Sequence, residues 1–251
     1  MTINLLRRFH HLLAIGLTLV ALFVAACGGT TTTAAPTSPP ATRVSLLRLA
    51  GGDYGYPSPY GYVRGPGYAR ALLSFDTLVW KDSTGSVIPW LATEWKKSDG
   101  GTTWTFTLRE GVKWQDGKPF TADDVVFSVE YFRTTPSSFS ASQTDTIKSV
   151  TKASETQVEF KLSKPSASFL EGTAGAMIII PKHIWESVKN PKTFNTPAAV
   201  IGTGPYKLVQ YNKEEGAYLY EANPDYFLGL PYVQRIEFVP SGDPLLSLSN
   251  G

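Results

Sequence analysis

Between Thr103 and Leu108 the chain reads TWTFTL, with Trp104, Phe106 and Leu108 alternating with threonines; from Thr121 onward the apolar spacing changes. Alternation puts one face of a strand against a core, whereas Ala122, Val125, Val126, Val129 and Phe132 fall on one side of a helix. A chain that changes period in this way has to pack helices on sheet. The turn SDGG ahead of TWTFTL predicts an antiparallel hairpin with VIPWLATEW, and STGS separates that run from FDTLVWKD. RVSLLRLA (43–50) reads as a buried first strand. TQVEFKL, AMIII, YKLVQY and AYLYEA around the turn NKEEG, and VQRIEFV read as further strands, with short helices in SASFLEG and PKHIWESV. The pattern gives an α/β fold, a mixed sheet with packed helices, without internal repeat.

Thr121 is placed to cap the helix, with Asp124 three residues on and Asp123 beside it. Paired acids at a helix start complement its dipole, so these aspartates read as caps and not as a catalytic pair.

The N-terminus carries Arg7 and Arg8, an apolar run from Leu12 to Val24 and then Ala25-Ala26-Cys27, the arrangement of an export signal. The apolar run is short for a membrane span and ends at Gly28-Gly29. Cys27 is the chain's single cysteine, which excludes an internal disulfide and a cysteine-cluster metal site. Its position after V-A-A is similar to a bacterial lipoprotein signal, with a plain secretory peptide as the alternative. The reading is therefore a signal peptide over 1–26, a lipidated Cys27 with a Thr/Pro-rich tether over 27–43, and a folded part from 44 to 251 outside the cytoplasm. Without Arg7 and Arg8 the 23 basic residues become 21, equal to the 21 acidic ones, and that balance gives no reason to expect a nucleic-acid partner. Hydrophobic residues at 42% and charged residues at 18% supply an ordinary core rather than disorder.

Three histidines limit the chemistry, because His10 and His11 lie in the export segment and only His183 remains. A Ser-His-Asp triad would have to be built on His183, inside PKHIWE at the start of a surface helix, and zinc sites needing two or more His or Cys ligands are excluded. No cofactor is expected. Glu214 and Glu215 sit in a hairpin turn, where acids are solvated; a two-carboxylate hydrolase stays open because spacing in sequence says nothing about separation in space.

Two irregular stretches remain. GGDYGYPSPYGYVRGPGYAR concentrates glycine, proline and tyrosine, and reads either as a functional loop or as a packed aromatic one. GTGPY (202–206) could hold a phosphate, shape a hinge or turn the chain. It lacks the lysine and following helix of a phosphate loop, and Pro205 removes a backbone donor, so a turn into the next strand is favoured, with Gly202 and Gly204 giving freedom and close approach.

The run from Ile88 to Phe132, IPWLATEWKKSDGGTTWTFTLREGVKWQDGKPFTADDVVFSVEYF, resembles the signature region of the family 5 solute-binding proteins of ABC transporters, which include dipeptide, oligopeptide and nickel binders. GTGPYKL and NPDYFLGLPYVQRIEF resemble later landmarks of the same family, and the likeness runs from about Val44 to Val239. The resemblance implies a periplasmic-binding-protein-like fold of type II. It further implies a non-catalytic receptor, outside the membrane or in the periplasm, that captures a solute between two lobes for an ABC permease. A lipid on Cys27 would be its only membrane attachment. Such proteins assemble the first lobe from both ends of the chain, so residues 44–251 are expected to form an incomplete first lobe without the second, ending within SGDPLLSLSNG, and to bind weakly alone. A non-binding structural remnant is the alternative.

The resemblance also places the loop from Gly52 to Tyr68 at the cleft. That makes Tyr54, Tyr56, Tyr60, Tyr62 and Arg64 candidate contacts, with Phe139 in TTPSSFSASQ, and Gly202, Gly204, Pro205 and Tyr206 as a cleft or hinge loop. A peptide is the expected solute, an oligosaccharide suits tyrosine rings as well, and nickel is disfavoured by the lone His183, although nickel held through a small chelator would need no cluster of histidines.

Overall fold

A computed structural model of the chain describes residues 43–61, 67–137 and 144–240. The export segment with Cys27 and the tether, Tyr62, Arg64, Phe139 and the segment after Pro240 lie outside the described residues.

Thr103–Leu108 is a strand (β5), antiparallel to Ala92–Ser98 (β4) through the SDGG turn. Its other edge pairs with Gln157–Leu162 (β7), which pairs in turn with Ile147–Ser154 (β6), giving a wholly antiparallel sheet ordered β4-β5-β7-β6. The alternation has the expected result: Trp104, Phe106 and Leu108 share a core with Val158, Phe160 and Leu162. The helix Ala122–Thr134 (α2) covers that face with Ala122, Val125, Val129 and Phe132, while Val126 is half-buried. The capping box forms as the sequence predicts, Thr121 N–H donating to Asp124 Oδ2 at 2.8 Å.

The mixed sheet of the α/β fold has the order β1-β10-β9-β8. Tyr206–Asn212 (β8) and Ala217–Ala222 (β9) form a hairpin, Arg235–Pro240 (β10) runs antiparallel to β9, and Leu47–Gly51 (β1) lies parallel to β10. Tyr206, Tyr218, Tyr220 and Ile236 form a second, smaller core. A short hairpin of Val79–Lys81 (β2) and Val87–Pro89 (β3) closes around the STGS turn, where Asp82 Oδ1 accepts the amides of Thr84 and Ser86.

Two expectations need correction. The first strand is not buried: β1 is an edge strand bonded only to β10, and Leu47 and Leu49 are each 37% exposed. AMIII is buried but is no strand, because its backbone bonds to non-strand partners, Ile179 N–H to Asp76 O and Ile180 N–H to Ser128 Oγ on α2. Two elements were not anticipated: β6, whose alternation is broken by bulges, and the helix Gly67–Ser74 (α1), which starts inside the glycine-rich stretch. PKHIWESV does contain a short helix, Lys182–Trp185 (α3), and SASFLEG leads into a π-helical turn, Phe169–Ala174. Among the described residues no helix is long and apolar enough to cross a membrane.

Candidate functional site

The loop that follows β1 comes to rest on the β8–β9 hairpin. Gly216 in that hairpin turn has φ of 62°, and a Cβ there would lie 2.6 Å from Asp53 N, so the contact requires glycine. Asp53 turns back on itself, its Oδ1 accepting Gly55 N–H at 2.9 Å and the Tyr211 hydroxyl at 2.6 Å. The Tyr218 hydroxyl accepts Tyr54 N–H at 2.9 Å and has two acceptors in reach, Gly55 O at 2.8 Å and Asp53 Oδ1 at 3.1 Å. Burial would raise the Asp53 pKa, but donation from Tyr211, Gly55 and Tyr218 together with the Lys213 charge hold it below the usual carboxylate value. Asp53 is thus an exposed, ionised carboxylate held in a fixed orientation.

Around it opens a cavity of about 820 Å³. Tyr54, Tyr56 and Tyr211 supply its aromatic walls, Asp53 and Lys213 its charges, and Gly61 with Asn195 its far rim. Tyr56 meets Tyr211 edge to face at 5.5 Å, and Ser58 Oγ ties the rim together, accepting Gly61 N–H at 2.8 Å and donating to Asn195 Oδ1 at 3.4 Å. Aromatic faces, an oriented carboxylate, an amide and an ammonium can hold a polar solute by stacking and by charge-assisted hydrogen bonds.

Of the tyrosines singled out in the sequence, Tyr54 and Tyr56 line this cavity. Tyr60 points elsewhere: its ring packs among Tyr131, Phe132 and Trp185, its hydroxyl donates to Thr135 O, and burial pushes its pKa up. It belongs to the larger core, because the loop doubles back there over α2. Asp53, Tyr211, Lys213 and Asn195 were missed; only the turn residues beside Tyr211 hinted that its strand end would meet a loop.

GTGPY does not line the large cavity. It is wedged into the C-terminal end of α1, where a Cβ on Gly202 would lie 1.8 Å from Ser74 O and Gly204 N–H donates to that oxygen at 2.9 Å. Close approach, rather than a left-handed backbone, is why both are glycine. Thr203 Oγ1 donates to Asp76 Oδ2 at 2.7 Å, and Tyr206 enters β8 with its hydroxyl on Val233 O. Pro205, Asp76, Trp80, Trp90 and Tyr226 line a separate depression of about 350 Å³.

Asp76 is the acid with a raised pKa that a hydrolase would need, since burial pushes it up to about 6. Its oxygens are occupied, however, by Trp90 Nε1 at 2.7 Å and the Tyr226 hydroxyl at 3.3 Å as well as Thr203, which makes it an anchor between chain segments. His183 is likewise occupied, paired with Asp116 Oδ2 at 2.8 Å.

The sequence pattern described as bacterial extracellular solute-binding proteins, family 5 Middle, matches residues 86–246. The nickel-binding periplasmic protein of Escherichia coli K12 is 32% identical over 197 residues, covering 74% of this chain and 35% of that protein. The dipeptide-binding protein of the same organism is 32% identical over 203 residues, covering 72% and 38%. Among solved structures, NikZ of Campylobacter jejuni in complex with Ni(L-His) superposes with a TM-score of 0.71 at 31% identity, covering 83% of this chain and 41% of that one. AppA of Bacillus subtilis in complex with a nonapeptide gives 0.71 at 27% identity, covering 83% and 42%. The chain thus spans well under half the length of these relatives.

Proposed function

The chain belongs to the bacterial extracellular solute-binding proteins of family 5, with the type II periplasmic binding fold, and from that premise we propose that it serves an extracytoplasmic receptor that captures a peptide for an ABC importer. The observation that carries this reading is the tyrosine-walled cavity lined by the oriented carboxylate of Asp53. A peptide offers an ammonium to Asp53, amides to Asn195 and the tyrosine hydroxyls, and side chains to the rings. A bare metal ion would use few of these groups.

Asp53 and Lys213, which line the cavity, are both exposed. A peptide lying there keeps part of its hydration until a facing surface closes over it, and tight capture belongs to that closed state. No step of bond making enters the reading. Calorimetric titration of the protein with pooled di- to nonapeptides is the test. Saturable heat at peptide concentrations raised into the millimolar range, the weak binding expected of a site without its facing surface, supports capture, and a flat trace with every pool throughout that range overturns it.

Attachment to the membrane through a lipid on Cys27 completes the proposal, motivated by the single cysteine after Val24-Ala25-Ala26. Fatty-acid labelling in cells should mark the protein and not its Cys27→Ser variant; equal label on both would refute the anchor.

A further inference from the structure

A second cavity, about 300 Å³, lies where α1 meets β1 and β10, and Arg70 lines it. Arg70 is 2% exposed. Its guanidinium sits over the rings of Tyr218 at 4.2 Å, Phe238 at 4.4 Å and Tyr54 at 4.7 Å. Nη1 donates to Gly52 O at 3.0 Å, Nε is buried without a partner, and among the described residues no carboxylate pairs with it. Asp53, next to its backbone partner Gly52, is turned toward Tyr211, Tyr218 and Gly55 instead.

Ring faces attract a guanidinium but accept none of its hydrogen bonds, so a buried arginine with an idle N–H remains short of partners. The end of β1 is shaped around it: a Cβ on Gly51 would lie 2.5 Å from Nη2. Arg70 and Leu49, Gly51, Tyr54 and Phe238 line the cavity, and Tyr54 is also a wall of the larger one. The two cavities are therefore neighbours across a single side chain.

We propose that Arg70 and this smaller cavity form an anion subsite that receives a carboxylate of the captured solute, so that the solute class is a peptide with a free C-terminal carboxyl group. The inference rests on the reading of the large cavity as a peptide site. The peptide body lies against Tyr54, Tyr56 and Tyr211, and its terminal carboxylate passes Tyr54 to meet the planar fork of Arg70, which suits two parallel hydrogen bonds. The aromatic cage then holds the fork at a fixed angle and keeps it dry.

The test compares matched tripeptide pools, as free acids and as C-terminal amides, titrated into the wild-type protein and into Arg70→Met and Arg70→Lys, each checked for folding by circular dichroism. The expected result is that wild type prefers free acids by roughly tenfold or more. Arg70→Met should bind both pools alike at the amide level, and Arg70→Lys should retain a reduced preference. Equal wild-type affinity for acids and amides overturns the subsite while leaving peptide capture standing. A preference that survives in a folded Arg70→Met also overturns it. Absence of binding to either pool defeats the peptide reading and this inference together. The wild-type comparison decides the matter even if Arg70→Met does not fold.

Discussion

Asp76 shows how one buried carboxyl group couples this protein to pH. Burial raises its pKa to about 6 from the ordinary 3.8, with the donors Thr203, Trp90 and Tyr226 offsetting only part of the effect. Between those values the folded protein holds a proton that the unfolded chain has lost, so this group's contribution to stability falls as pH rises from about 4 to 6. In urea unfolding across that range, Asp76→Asn should gain stability relative to wild type as pH rises; a constant difference would contradict the assignment. Gly204 makes a steric argument at the same scale. A Cβ there would lie 2.5 Å from Ser74 C and 2.6 Å from Leu73 O, both backbone atoms that cannot step aside. Gly204→Ala should cost about 2–3 kcal/mol in denaturant unfolding, whereas Gly52→Ala, with nothing within 4 Å of its Cβ position, should be tolerated. The two glycines of GTGPY were legible as close-approach residues; Asp76 was not, since FDTLVW gives no sign that three donors from distant segments converge on it.

At the scale of elements, α2 and α3 share one acid. Asp124 accepts Thr121 N–H through Oδ2 at 2.8 Å and Lys182 N–H through Oδ1 at 2.9 Å, so a single buried carboxylate serves the start of both helices. Asp124→Ala should therefore lower stability by about 2–3 kcal/mol, more than an ordinary cap, because two backbone donors lose their acceptor. Its neighbour Asp123 is half-exposed and pairs with Lys152 at 2.7 Å, so Asp123→Ala should melt close to wild type. A similar loss in both variants would refute the distinction. The first half of the Asp124 arrangement was readable from T-A-D-D, because a capping box is local; the second half spans 58 positions and was not. The same boundary explains the strands. TWTFTL and TQVEFKL declare themselves by alternation, but AMIII shows only that it is buried, and periodicity does not tell a strand from an extended segment bonded to a helix side chain. IKSVTKAS escaped notice because register shifts after Ile147 and Lys152 break its period.

At the scale of the described fold, the loop that follows β5 is tied to the GTGPY turn and the start of β8 through Gln115. Its side-chain amide donates to Gly204 O at 3.2 Å and Tyr206 O at 2.8 Å, and its backbone N–H donates to Gly202 O at 2.9 Å. Lys207 Nζ reaches the Gln115 carbonyl at 3.2 Å. Gln115→Ala should speed hydrogen exchange across residues 202–206 and the start of β8 while leaving β5 and β7 protected; unchanged exchange there would show that the seam holds without it. The sequence by itself determined what short-range physics controls: the α/β class, the hairpins, the capped helix, the family, and a tyrosine-rich loop as the place to look for a site. Tertiary structure alone decided that Asp53 meets Tyr211 across 158 positions, that Tyr60 turns into the core, and that Arg70 lies buried among aromatic rings with no carboxylate partner among the described residues. Turn propensity and hydrophobic period act over a few residues, whereas a cavity is fixed by which distant surfaces the packed sheets bring within a few ångströms.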